Sequence, residues 1–193
     1  MLRLNKSLLV LVCVLLTVEG YDSPIKTKAI NQCKKYVSVF LSDSEYSTMA
    51  DYVVSQIYSG TSWNSFKAAA ILKFTTVSPS KSANVVGLGT KYITSNLLSG
   101  GTTTVSNAIS AVGNNVEPFY NQLLGYIKTK KSNGMLENGC YHNVYRLATQ
   151  WITYNRVKLI MQRVKTKLGT KWTTFTSATY FGPLFEFGNY TLT

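Results

Sequence analysis

Apolar residues along this chain recur at intervals of three and four more often than of two, which is the period of amphipathic helices. The spacing predicts a mainly α, single-domain bundle of about six or seven helices. From Ile25, residues Ala29, Ile30, Cys33, Val37, Phe40 and Leu41 share one face, so Cys33 points inward, while Lys26, Lys28, Lys34 and Lys35 occupy much of the rest. Ser42-Asp43-Ser44-Glu45 has the form of a capping box, in which the Ser hydroxyl and the Glu carboxylate satisfy each other's backbone N–H groups. The helix it opens carries Tyr46, Met49, Ala50, Val53 and Ile57 inward and is ended by Ser59-Gly60. A third stripe of Trp63, Phe66, Ala70, Ile71 and Phe74 starts behind a Thr61 or Ser62 cap.

Ser78-Pro79 marks a restart, because proline at the first helical position lacks only an N–H that would be unpaired anyway. The next helix presents Ala83, Val86, Ile93 and Leu97, although Gly87, Gly89 and several Thr weaken it. After a Ser99-Gly100-Gly101 turn, a short Val105, Ala108, Ile109, Val112 stripe is expected to end at Gly113-Asn114-Asn115, and a separate helix to run from Val116 to Lys130. One long run is then expected from Tyr141 to Leu168, closed by Gly169, with Arg156, Arg163 and Lys167 as a basic stripe. The Thr- and aromatic-rich tail from Trp172 to Phe187 reads equally as a short helix or a strand-like arm.

The N-terminus has a different pattern. Arg3 and Lys6 precede an unbroken apolar run from Leu8 to Leu16, which is signal-peptide form and well short of the roughly 20 apolar residues of a membrane span. Val18 and Gly20 suit the peptidase pockets, so residues 1–20 are expected to be removed, leaving a helical secreted domain over 21–193. Cys13 leaves with that segment. The remaining two, Cys33 and Cys140, are expected to form a long-range disulfide in an oxidising compartment, where closing so long a loop is worth up to about 4.7 kcal/mol. Asn189-Tyr190-Thr191 is an N-glycosylation sequon.

The charge is +12 for the whole chain; subtracting Arg3, Lys6 and Glu19 from 20 basic and 8 acidic residues leaves 18 against 7, a net +11. This basic excess reads either as plain solubility or as attraction to an anionic membrane surface or glycan, with Arg156, Lys158, Arg163, Lys165, Lys167 and Lys171 as one candidate face. A nucleic-acid reading motif is missing from the charge pattern, so no nucleic-acid partner is expected. Catalytic inventory is thin: His142 is the one histidine, Cys140 is assigned to the disulfide, and Gly87-Leu88-Gly89 lacks the third glycine of a dinucleotide loop. A non-enzymatic protein without metal or cofactor follows.

What remains is an apolar cavity between helices, the usual way a small helical protein takes up lipid. Phe40-Leu41-Ser42-Asp43-Ser44-Glu45 leading into a helix, Trp63-Asn64-Ser65-Phe66 leading towards Ser78-Pro79, and the closing Phe181-Gly182-Pro183-Leu184-Phe185 together resemble the nematode fatty-acid and retinol-binding proteins. The resemblance implies a secreted helical carrier that encloses a hydrophobic small molecule, a fatty acid or retinoid. The chain departs from that family in being short of acids and in carrying Cys33 and Cys140. The expected cavity lining is Val53, Ile57, Phe66, Ala70, Val86, Ile93, Leu97, Phe119, Leu123, Ile127 and Trp151, residues that plain core packing would also bury. The alternative is a secreted cationic effector or defence protein.

Overall fold

The computed structural model describes residues 23–36 and 41–182. The expected signal peptide, Val37 and Phe40, the Pro183-Leu184-Phe185 part of the closing motif and the Asn189 sequon lie outside the described residues. Within them the chain is mainly helical, as the periodicity predicts, with α1 (Pro24–Tyr36), α2 (Asp43–Tyr58), α3 (Trp63–Val77), α4 (Pro79–Ser95), α5 (Gly101–Ser132), α6 (Glu137–Trp151), α7 (Tyr154–Leu168) and a short α8 (Trp172–Thr176). Single 3-10 turns over Leu97–Ser99 and Gly169–Lys171 lead into α5 and α8.

The capping box is in place. The Ser42 N–H donates to Glu45 Oε2 at 2.6 Å, and the Glu45 N–H donates to Ser42 Oγ at 3.3 Å. Tyr46, Met49, Ala50, Val53 and Ile57 are all buried on α2, the face read from sequence. Ser62 caps α3 by accepting from the Ser65 N–H at 3.4 Å. Pro79 occupies the first turn of α4, but the Ser78 side chain forms no cap bond there. It is buried, and its hydroxyl serves the Glu45 carboxylate instead.

In two places the helix boundaries differ from the expectation. Gly113-Asn114-Asn115 does not end a helix: α5 runs unbroken for 32 residues, about 48 Å at 1.5 Å per residue. Its buried stripe passes from Val105, Ala108 and Val112 through Val116 to Phe119, Tyr120, Leu123 and Ile127, so burial on either side of the weak segment outweighs its low propensity. Pro118 is tolerated because the carbonyl it deprives of a partner belongs to exposed Asn114, where water can serve it. Conversely, the run from Tyr141 to Leu168 is two helices. Thr153 caps α7 by accepting from the Arg156 N–H at 3.3 Å, and the chain turns between Trp151 and Tyr154.

Helix α5 is the axis of the bundle and touches α2, α3, α4, α6 and α7. Trp63 and Phe66 from α3 pack on Tyr120, with Phe66 stacked at 4.7 Å between centroids, and Tyr120 Oη donates to the Thr61 carbonyl at 2.9 Å. Helix α4 buries Ser82, Val85, Gly89, Tyr92 and Ile93, a stripe rotated from the expected one: Ala83 is exposed and Val86 half-buried. The undecided tail resolves, as far as Gly182, into α8 and turns, with Phe175 and Phe181 buried and stacked at 4.4 Å. Tyr92 meets Phe175 and Tyr180 edge-on at 5.3 and 5.0 Å.

The predicted disulfide is corrected: Cys33 and Cys140 are both buried, and no disulfide joins them. Gln32 Nε2 donates to the Ile152 carbonyl at 2.8 Å, which sets the neighbouring Cys33 towards the C-terminal end of α6. Cys140 lies in the first turn of that helix, about 18 Å of helical rise from Ile152. A disulfide needs Cα atoms within roughly 7 Å. Inward facing was read rightly for Cys33, but position along the partner helix is invisible to periodicity.

Lys26 also departs from the solvent face assigned to it. It is 7 % exposed and its Nζ lies 2.9 Å from Asp51 Oδ1, which in turn accepts from Tyr145 Oη at 3.4 Å. This buried group joins α1, α2 and α6. Removing the carboxylate would leave an uncompensated buried ammonium, so Asp51→Ala is expected to cost about 3–5 kcal/mol in chemical denaturation, and the double variant Lys26→Met with Asp51→Leu much less.

Glu45 supplies a pH signature. Burial pushes its carboxyl up, but the Lys81 ammonium and hydrogen bonds from Ser42 and Ser78 outweigh this and hold it at about 2, below the usual 4.5. A depressed folded-state pKa means the unfolded chain binds the proton first, so this contribution is full above 4.5 and is lost as pH falls from there towards about 2. Glu45→Gln is expected to flatten the loss of thermal stability across that window; an unchanged acid limb would contradict the assignment.

Candidate functional site

A groove of about 250 Å³ opens between α5 and α7, lined by Asn115, Pro118, Phe119, Gln122, Trp151, Arg156, Leu159, Ile160 and Arg163. Three features of the chain build it. Asn115, Phe119 and Gln122 lie four and three residues apart on α5, hence on one face. The α6–α7 break leaves Trp151 at the end of one helix and Arg156 in the first turn of the next, so the guanidinium folds back to lie 5.0 Å from the indole centroid. Arg156 and Arg163 are seven residues apart, two turns of α7, with Leu159 between them.

The floor is apolar. Phe119 and Ile160 are buried, and the Phe119 ring stacks on Trp151 at 4.6 Å with 11° between planes. The rim is cationic and hydrogen-bonding: Arg163 donates to Asn115 Oδ1, whose Nδ2 donates to the Ala111 carbonyl at 2.6 Å. Leu159 is 43 % exposed at the mouth. Among the described residues the ion pairs are Lys26–Asp51, Lys34–Asp43 and Lys81–Glu45, and neither groove arginine meets a carboxylate. The combination of a flat aromatic floor and two guanidinium groups suits a planar or carboxylate-bearing amphiphile better than a neutral polar ligand.

Of the eleven residues expected to line an internal cavity, only Phe119 and Trp151 border this groove. Val53, Ile57, Phe66, Ala70, Ile93, Leu123 and Ile127 are buried in the continuous core, and Val86 is half-buried on α4. Leu97 is 66 % exposed in the 3-10 turn before α5, which removes it from any interior lining. Sequence reading named Arg156 and Arg163 as a basic stripe and placed Ile160 on the buried side, but missed Asn115, Pro118, Gln122 and Leu159. Asn115 was masked by its reading as part of a turn; the i, i+4, i+7 spacing with Phe119 and Gln122 was the signal available.

The nucleophile candidates sit elsewhere. His142 is exposed on α6, and Cys140 is buried with its Sγ directed to the Met135 carbonyl at 3.9 Å. Burial pushes the Cys140 thiol up, only partly opposed by the Lys131 charge, so it is a poor source of thiolate. Tyr141 is likewise raised, first by burial and then by its hydrogen bond to Glu137. The chain matches no family model, no curated protein and no solved structure.

Scaffold and rim separate energetically. Phe119→Ala is expected to cost about 3–5 kcal/mol of folding stability, as deletion of a buried aromatic does. Arg163→Ala, a change at an exposed side chain, is expected to stay within about 0.5 kcal/mol. Urea unfolding of the two variants checks the contrast.

Proposed function

We propose that this protein is a secreted, non-enzymatic carrier of a hydrophobic ligand with an acidic head group, such as a fatty acid or retinoid, bound in the α5–α7 groove. The observation that carries the reading is a groove that holds Arg156 over the Trp151 ring of the Phe119–Trp151 stack and Arg163 on the same lining, neither paired with a carboxylate among the described residues. A carboxylate would take charge-assisted hydrogen bonds from Arg156 and Arg163, and the adjoining methylenes or conjugated chain would lie on the aromatic floor. Ligand pockets usually measure roughly 300–1,000 Å³, so a groove of about 250 Å³ takes the acidic end and the first part of a long chain rather than enclosing all of it. The resemblance to the nematode carriers and the apolar leader at Leu8 to Leu16 support the same class and compartment. Release through that route would present Asn189 for glycosylation.

The decisive experiment is displacement of a fluorescent fatty acid. Saturable binding in the micromolar range is expected, weakened roughly tenfold or more in the Arg156→Ala, Arg163→Ala double variant. Competition by the corresponding fatty alcohol is expected to be much weaker than by the acid. No saturable signal at micromolar protein would end the proposal.

A further inference from the structure

We infer that the turn between α4 and α5 is a docking tip for an anionic lipid bilayer, with Leu97 and Leu98 entering the interface and lysines around them meeting the headgroups. Leu98 is fully exposed and Leu97 is 66 % exposed, adjacent at the very end of the bundle. A single surface leucine needs no explanation, but two side by side on a projecting turn carry a standing cost in water unless something covers them.

The tip is held firmly. The Gly101 N–H donates to the Asn96 carbonyl at 2.8 Å, and the Asn96 side chain donates to the Tyr92 carbonyl at 2.9 Å. Gly100 has φ +82°, and a Cβ on Gly101 would come within 3.0 Å of the Ile93 carbonyl oxygen, so both glycines are required by the turn's shape. Lys171 Nζ donates to the Ser99 carbonyl at 2.7 Å, which fixes one cation beside the leucines. Lys91, exposed, lies over Tyr180 at 5.9 Å, and exposed Lys167 is one turn before Lys171. A projecting apolar pair set among cations matches the order of a bilayer surface, acyl boundary inside and negative headgroups outside.

Charge complementarity is what selects the lipid over another protein surface. There is no Asp or Glu between Asp51 and Glu117, nor between Glu137 and Glu186. The segments forming this end, residues 91–101 and 165–182, therefore carry only positive charge, and nothing on them repels an anionic headgroup. This inference is independent of the groove: the tip residues line no part of it.

The test is sedimentation of the full chain with vesicles of phosphatidylcholine alone, or of phosphatidylcholine and phosphatidylserine in equal parts. Binding to the mixed vesicles is expected to be at least about tenfold stronger, and to fall steeply with added salt. The double variant Leu97→Ser, Leu98→Ser is expected to lose about tenfold or more of that binding, whereas Leu72→Ser, at an exposed leucine on α3, is expected to bind as the parent does. Lys91→Ala with Lys167→Ala is expected to weaken it by a similar factor at low salt. Fatty-acid displacement by the leucine variant is expected to be unchanged, so failure of the carrier proposal and failure of this one are separable. Full vesicle binding by the leucine variant would overturn the inference. Self-association that the same variant abolishes, without vesicle binding by the parent, would assign the tip to a second copy and overturn it equally.

Discussion

Helix α5 buries one stripe without interruption from Gly101 to Ile127, and the placement of almost everything else follows from it. The stripe changes shape along its length: small Ala108 and Ala111, branched Val112 and Val116, then Phe119, Tyr120 and Leu123. Small residues let a helix approach closely, and large ones insert between its side chains, so the order along α5 sets where each partner can sit. The stripe also explains why a glycine and an internal proline survive in its middle. Propensity costs of about 1 kcal/mol for glycine and about 3 for proline are modest beside the burial on both sides.

The groove is a by-product of that axis. Asn115, Phe119 and Gln122 lie on the flank of α5 that α7 only partly covers, and the turn at Ile152-Thr153 brings Trp151 and Arg156 to the edge of the gap. Arg163 then bridges back to Asn115. The antiparallel course of α7 along α5 also carries Lys171 to Ser99, so one helix pair supports both the groove and the apolar tip. The excess of cations is organised: among the described residues the ion pairs gather at α2, where Asp51, Asp43 and Glu45 take Lys26, Lys34 and Lys81, while the sequence of α7 carries basic residues and no acid.

The polar group in the core works differently. Lys26, Asp51 and Tyr145 bind three helices in a place where apolar side chains would have packed at least as well, and a buried ion pair is weak evidence for stability. A misaligned α1 would strand a buried charge, so the pair penalises other positions of that helix. It fastens α1 to α2 and α6, a tie that sequence reading places at a Cys33–Cys140 disulfide, while both cysteines are buried without that bond.

Features that depend on neighbours within a turn or two are legible in the residues alone. Helical class, the Ser42–Glu45 capping box, a cap at Thr61 or Ser62, the proline start of α4 and the buried face of α2 all rest on local hydrogen bonding and on the 3.6-residue period, and these are written in adjacent residues. Features that depend on length of burial and on distant partners emerge only when the helices pack together. Whether Gly113-Asn114-Asn115 ends a helix is settled by what packs on either side of it. Whether a continuous apolar run breaks at Thr153 is settled by the space α5 leaves. Burial of Lys26, exposure of Leu97 and the separation of the two cysteines follow from which helix lies opposite, and periodicity names a face without naming what it meets. For the same reason the groove could be read only in part. Its arginines were visible as a stripe, but the floor beneath them exists only once α5, α6 and α7 are assembled.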